Sequence, residues 1–347
     1  MDYGLKINKK YGKPVKGLLK RKKVYEDSYL PLQEANHIIL PLRTKKINFS
    51  DEIRKYTSDY EINKFEFKTN KRTRSFRREL EKILPSNIFE KASRAYEQIG
   101  DIGIITVFPH MEKYEKEIAK ALLETNKGIR LVLKKATKHK GGKRIQEYTA
   151  LTGSGSTETT HSENNVKIKI DITKAYFSAR TANERKRIAS LINNEEKILV
   201  LFSGCAPYPL VISKNTKAKE IWGVESNQEA HKYALINQKL NNSNNIKLIN
   251  GLVEKEIKNI EEKFDRIIIP HPTEADYYLS SALDVLKNKG IIHLYLFSKP
   301  EKLDYAKSKI QKIAKKKNYA VKKITTNEQL HISSEVKKYC FDIQLSK

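Results

Sequence analysis

The sequence predicts an α/β protein whose C-terminal half folds as a mostly parallel sheet, preceded by smaller α+β units. Three observations predict it. Short apolar runs recur from residue 197 onward, amphipathic segments of helical length separate them, and Gly, Pro or Asn clusters punctuate the joins. Repeated strand–helix units of this kind imply right-handed crossovers and a parallel sheet. The chain has 347 residues, more than one core normally organises, so two or three domains are expected.

The run 197–202 is apolar apart from its first residue and ends in Ser203-Gly204, as a buried parallel strand should. Residues 220–225 form a second strand. An amphipathic helix over 228–240 follows, stopped by the Asn-rich stretch 241–245. Residues 246–249 are a third strand, and 264–269 a fourth, halted by Pro270 and Pro272. A helix over 275–286 leads to a fifth strand at 290–297. A Lys-rich helix near 302–317 and two extended segments, near 321–325 and 338–345, complete this half.

The N-terminal half is less regular, and boundaries are placed at 1–70, 71–175 and 176–347. The first part mixes short strands such as 37–40 with charged connectors. The basic run 68–74 reads either as a solvated linker or as a tether for phosphates. The second part gives a helix, a strand at 102–107, a helix at 111–125 and further strands. Among these, 166–171 alternates with period two after a loose loop at 152–162.

Charge is the strongest global signal. The chain holds 68 Lys and Arg against 41 Asp and Glu, a net charge of +27. That excess is one-sided, whereas Lys-rich thermophile compositions enrich Glu alongside. Such a field attracts polyanions, so a nucleic-acid partner is expected. Two distant cysteines, Cys205 and Cys340, make neither a disulfide framework nor a zinc pattern and suit a reducing cytoplasm. The scattered histidines show no metal-ligand spacing, so no metal is expected. No run approaches the ~20 apolar residues of a membrane span, and the N-terminus lacks the apolar run of a secretion signal.

Two features of the parallel-sheet half carry chemistry. Phe202, Ser203, Gly204, Ala206 and Pro207 form the turn after the first strand, where small residues let a ligand approach backbone N–H groups at a helix start. Glu225 closes the second strand, followed by Ser226. A carboxylate there can accept both ribose hydroxyls of an adenosine.

The segment 175–185 contains Tyr176-Phe177-Ser178-Ala179-Arg180 and then Glu184-Arg185. It resembles the Tyr-Phe-Ser-Pro-Arg…Glu-Arg signature of the archaeal and eukaryotic tRNA (guanine-37-N1)-methyltransferase family. The opening residues 4–12, Ser75-Phe76-Arg77, residues 99–102 and Gly290-Ile291-Ile292-His293 are also similar to that family. The resemblance spans essentially the whole chain. It implies a class I, Rossmann-like S-adenosylmethionine-dependent methyltransferase domain behind small α+β domains. The partner it implies is tRNA, gripped at the anticodon stem-loop and, through the N-terminal domain, at the elbow. Monomeric, cytoplasmic action is implied as well.

By the same resemblance, Glu184 is the base that removes the N1 proton of guanine, and Arg144 stabilises charge on O6. Arg185 orients the base, and Tyr176 stacks near the substrate. The turn 202–207, Glu225, Ser226, Leu252 and Pro270 then belong to the cofactor site, and Arg180, His271 and Pro272 to the substrate pocket. Without its motif, Glu184 would read as a helix-surface ion pair with Arg180 or Lys186.

The sequence departs from the family at several points. Val200 stands where the first strand usually ends in Asp, and Gly204-Cys205-Ala206 replaces Gly-x-Gly. Leu252 stands near the position of an acid, and Pro270-His271-Pro272 replaces Asn-x-Pro. These leave two alternatives: methylation of a wyosine intermediate at position 37, or a non-catalytic tRNA-binding relative. Aminocarboxypropyl-transferring relatives resemble Phe-Ser-Pro-Gly-Asn in the signature, and Arg180 separates this chain from them.

Overall fold

The computed structural model describes residues 2–22, 24–68, 76–89, 96–135, 147–193, 195–273, 275–333 and 335–347. The chain divides into two compact units, Met1–Glu90 and Lys91–Lys347.

In the first unit, β1 (Asp2–Asn8) runs antiparallel between β3 (His37–Pro41) and β4 (Tyr60–Phe65), and β2 (Leu32–Glu34) pairs with β3. Helix α1 (Gly12–Arg21) buries Val15, Leu18 and Leu19 against Leu5, Ile7 and Leu40, the 3–4 spacing of one helix face. Short helices α2 (Ser50–Arg54), α3 (Phe76–Ile83) and α4 (Ser86–Phe89) complete it.

The second unit begins with a four-stranded sheet in the order β5 (Glu97–Ile99), β6 (Ile102–Ile105), β7 (Leu131–Lys135), β8 (Tyr148–Gly153), with α5 (Glu115–Thr125) crossing from β6 to β7. A hairpin of β9 (Glu158–Glu163) and β10 (Val166–Asp171) follows. The loose loop expected over 152–162 is therefore wrong. Only 154–157 separates β8 from β9. Strand β9 escapes a hydropathy reading because its polar side chains bond rather than pack: buried Thr159 donates from Oγ1 to Asp101 Oδ1 at 2.7 Å.

Helix α6 (Ala182–Ser190) then leads into the alternating half. This comprises β11 (Lys197–Leu201), α7 (Pro207–Asn215), β12 (Glu220–Glu225), α8 (Gln228–Leu240), β13 (Ile246–Asn250) and α9 (Val253–Asn259). The chain continues with β14 (Phe264–Ile269), α10 (Ala275–Asp284), β15 (Leu286–Ser298), α11 (Leu303–Lys316), β16 (Ala320–His331) and β17 (Lys337–Ser346). The seven-stranded sheet has the order β13-β12-β11-β14-β15-β17-β16, parallel through β15 and antiparallel in the last pair. The expected Rossmann-like sheet closed by a terminal strand pair is present. Strand β11 sits at its centre, and its side chains alternate between two cores. Ile198 and Val200 join one, and Leu199 and Leu201 the other, all fully buried. Strand order reverses between β11 and β14, so the crevice at their C-terminal ends is where such sheets bind ligands. Among the described residues no helix is long and apolar enough to cross a membrane.

Candidate active site at the C-terminal edge of the parallel sheet

The turn after β11 is wound tightly. Phe202, Gly204 and Ala206 all have left-handed backbones, with φ of 54°, 57° and 68°. Two of them are not glycine, and such strain concentrates at functional turns. Ala206 starts α7 with Pro207 in its first turn. Ala206 thus holds a left-handed conformation that glycine adopts without strain. Ala206→Gly is expected to raise stability by up to about 1 kcal/mol, because relief of left-handed strain outweighs glycine's extra unfolded-state entropy. A lower denaturant midpoint for the variant would contradict this.

Glu225 reaches from the end of β12 to this turn. Its Oε2 accepts the Gly204 N–H at 2.8 Å and its Oε1 the Asn227 N–H at 2.7 Å. Burial pushes the carboxyl above its ordinary value, against the pull of those backbone donors and Ser226. The carboxylate still has acceptor capacity for a ligand hydroxyl. The Ser203 hydroxyl is buried and finds no partner among the described residues, an orphan that a polar ligand atom would satisfy. At Gly204 an added Cβ would meet only the Tyr176 carbonyl, at 3.8 Å, so the backbone is open to a ligand. Nearby strand ends supply exposed Ser226 and Leu252, the latter 49% exposed at the start of α9. The donor set fits a nucleoside: a carboxylate for the ribose, backbone N–H groups and an apolar rim.

The loop after β14 closes the other side. The His271 ring stacks on Phe202 with centroids 4.6 Å apart, and Tyr278 meets Phe202 edge-on at 4.7 Å. His271 Nδ1 lies 3.1 Å from both the Thr273 carbonyl and its hydroxyl, so this histidine is tied into its own loop. Lys338 donates to the Pro270 carbonyl at 3.3 Å and lies 4.8 Å above the Tyr295 ring. Pro272 is half-buried beside them.

The 175–185 signature is held from both ends. Glu97 accepts the Ala179 N–H and the Ser178 hydroxyl, each at 3.1 Å, and pairs with Arg180 at 3.7 Å. Tyr176 is 63% exposed. Glu184 is buried, and Arg187, one helical turn further on, forks onto both its oxygens at 2.7 and 2.8 Å. The Tyr295 hydroxyl donates to Glu184 Oε1 at 2.6 Å and accepts from Tyr208 at 3.0 Å.

Arg185 is placed differently from the expectation that it orients Glu184. It forks onto Glu163 at 2.5 Å, reaches Thr181 Oγ1 at 2.5 Å and the Ser178 carbonyl at 3.0 Å, and lies over the Phe177 ring. It braces the signature loop. Adjacent helix positions point to different sides, so Glu184 and Arg185 cannot share a partner, whereas positions three apart can. That spacing is the sequence signal that identifies Arg187. Sequence reasoning also passed over Glu97, Tyr295, Lys338 and Asp342. Arg144 lies outside the described residues. The structure thus brings Phe202, Ser203, Gly204, Glu225 and His271 together around one crevice, with the Tyr176 backbone against it.

Comparison with known proteins agrees with this geometry. Residues 159–322 match the TRM5/TYW2 methyltransferase domain, and residues 76–157 the TYW2 N-terminal domain. The tRNA (guanine(37)-N(1))-methyltransferase Trm5b of Pyrococcus abyssi is 29% identical over 86% of this chain and 84% of that protein. The crystal structure of Trm5b from that organism superposes with a TM-score of 0.74 at 26% identity, covering 100% of both chains. The tRNA 4-demethylwyosine(37)-methyltransferase Taw21 of Saccharolobus solfataricus is 34% identical over 57% of this chain and 76% of that one. A structure of aTrm5 in complex with tRNALeu matches with a TM-score of 0.69 at 26% identity, over 98% and 99% of the two chains. The chain belongs to the TRM5/TYW2 methyltransferase family.

Proposed function

We propose that this chain is a tRNA (guanine-37-N1)-methyltransferase that transfers a methyl group from S-adenosylmethionine to N1 of guanosine 37. The observation that carries the reading is the junction of two sites. Glu184 bonds Tyr295, Lys338 spans from the Tyr295 ring to the Pro270 carbonyl, and Pro270 ends the strand beside the nucleoside crevice. Similarity to Trm5b over most of the chain supports it.

When bound in that crevice, S-adenosylmethionine supplies an electrophilic methyl group. Glu225 would hold the ribose, the 202–207 turn and Ser226 the rest of the nucleoside, and Leu252 and Pro270 its apolar edges. For the target base, Tyr176 offers an exposed ring to stack on, and Arg180, His271 and Pro272 line the approach. N1 of guanine carries a proton that must leave as the new bond forms. Arg187 and Tyr295 use both lone pairs of Glu184 Oε1, so Oε2 has the free lone pair and takes that proton. Arg144 would meet the charge left on O6.

The tRNA is held by charge. Between Asp2 and Glu26 the chain carries nine Lys or Arg and no acid, and Lys9 and Lys10, just before α1, and Lys13 in its first turn are exposed. We assign this surface to the tRNA elbow and the rest of the basic surface to the anticodon stem-loop, with the protein acting as a cytoplasmic monomer. The parts 1–70, 71–175 and 176–347 would then serve elbow contact, linkage and chemistry. Replacing Lys9, Lys10 and Lys13 together by Ala is expected to weaken tRNA binding. It should also flatten the slope of log affinity against log salt by about one for each phosphate that is no longer neutralised. Equal slopes would remove α1 from the interface. The reading itself is tested by a saturable thermal shift with S-adenosylmethionine and by label transfer from that cofactor to an unmodified tRNA transcript. Tight tRNA binding with neither response would favour a non-catalytic relative.

A further inference from the structure

We propose that Asp342 on β17 is a positioning residue for methyl transfer, sharing the Arg187 guanidinium with Glu184 so that Glu184 can accept a proton. The inference rests on the reading of Glu184 as the base. Arg187 bonds Glu184 as described and also Asp342, from Nη1 to Oδ2 at 2.7 Å and from Nη2 to Oδ1 at 3.2 Å. Four bonds thus join one cation to two carboxylates.

That sharing resolves a conflict in the site. A buried carboxylate forked by its own arginine is a poor proton acceptor, because protonation would leave a guanidinium uncompensated in a low-dielectric interior. Glu184, Arg187 and Asp342 together carry one net negative charge before the transfer and none after it. Without Asp342 the pair would begin neutral and end as a half-buried cation. Asp342 therefore turns proton acceptance into the step that neutralises the cluster.

The rest of the cluster keeps Asp342 ionised. His293 Nδ1 lies 2.6 Å from Asp342 Oδ1, and Asn327 donates to Oδ2 at 2.8 Å. The other ring nitrogen of His293 faces the Arg266 guanidinium at 2.7 Å, and Arg266 forks onto Glu196. Arg266 can only donate, so Nε2 accepts and the His293 proton sits on Nδ1, directed at Asp342. Burial alone would raise the Asp342 carboxyl. Hydrogen bonds from His293 and Arg187, with the charge of Arg187, outweigh it and hold the group well below the usual carboxylate range. Burial lowers His293, which keeps the ring neutral. His293, Cys340 and Asp342 place metal-ligand atoms within 4.8 Å of one another, but Arg187 and Arg266 already bond two of the three. The remaining titratable groups facing Glu184 are the buried hydroxyls of Tyr295 and Tyr208, both pushed up by desolvation, and the Cys340 thiol, raised for the same reason. Lys338 lies 4.8 Å above the Tyr295 ring, and Arg185 is committed to Glu163.

The test is single-turnover methyl transfer at saturating cofactor and tRNA transcript, across pH, for wild type, Asp342→Asn, Glu184→Gln and the double variant. Asp342→Asn is expected to slow transfer by about tenfold or more, with both Kd values unchanged. In the Glu184→Gln background the same change should cost nothing further. A wild-type rate and profile for Asp342→Asn, with Glu184→Gln slow, would overturn this inference alone. An unaffected Glu184→Gln would instead overturn the base assignment beneath it. Should Asp342→Asn fail to fold, Arg187→Lys serves as the second variant. It keeps the charge but cannot fork two carboxylates, so the same non-additive loss is expected and an unchanged rate overturns the proposal.

Discussion

Glu184→Gln is expected to lower the single-turnover rate of methyl transfer by roughly 10²- to 10⁴-fold, the usual contribution of a positioned general base. Affinities for tRNA and S-adenosylmethionine should stay close to wild type, because the bonds described for Glu184 go to Arg187 and Tyr295 rather than to the 202–207 turn or Glu225. The amide matches the carboxylate in size but replaces one acceptor with a donor. One of the two Arg187 hydrogen bonds, at 2.7 and 2.8 Å, then becomes donor against donor. That mismatch costs about 1–3 kcal/mol of stability and lowers the melting temperature. Arg187 keeps Asp342 as a partner, so the fold survives. A rate within about twofold of wild type would remove Glu184 from the chemistry.

Glu225→Ala is the second large effect, and it falls on binding. The two hydrogen bonds that ribose hydroxyls would make to this carboxylate are lost, each worth about 1.5–3 kcal/mol, so the cofactor Kd should rise by roughly 10²- to 10⁴-fold. The turn itself also loosens. The Gly204 and Asn227 N–H groups lose their acceptor, and the left-handed Phe202–Ala206 backbone loses the brace that holds it. Calorimetric titration measures the change, and rates at saturating cofactor should recover most of the loss. Unchanged affinity would place the ribose elsewhere.

The fold was legible where burial is two-sided or the amphipathic period is clean. Strand β11 is apolar on both faces because both faces meet a core, and α8 was read over its full length, Gln228–Leu240. Legibility failed where side chains bond rather than pack. Strand β9 hides its Thr and His residues in hydrogen bonds, and β16 extends to His331 on ladder pairing with β17, well past the short segment its sequence suggests. In the site, Glu225 was readable because the end of a strand fixes where its side chain can act. Tyr295 and Asp342 were not, because they lie 111 and 155 residues from the partners they bond, Glu184 and Arg187.

The family departures also have physical readings. Val200 is fully buried in a core, where an unpaired acid would be costly. Ala206 accepts the left-handed strain of a glycine position. In the loop that lacks the asparagine amide, His271 stacks on Phe202, and Lys338 takes the Pro270 carbonyl.

The most direct measurement is the product nucleoside. An unmodified tRNA transcript with guanosine at position 37, and a second with that base substituted, would be incubated with the enzyme and labelled S-adenosylmethionine, digested and identified by mass. The account predicts 1-methylguanosine from the first transcript and no methylated nucleoside from the second. Label in both transcripts, or none in the guanosine transcript alongside methylation of one carrying a wyosine intermediate, would contradict it.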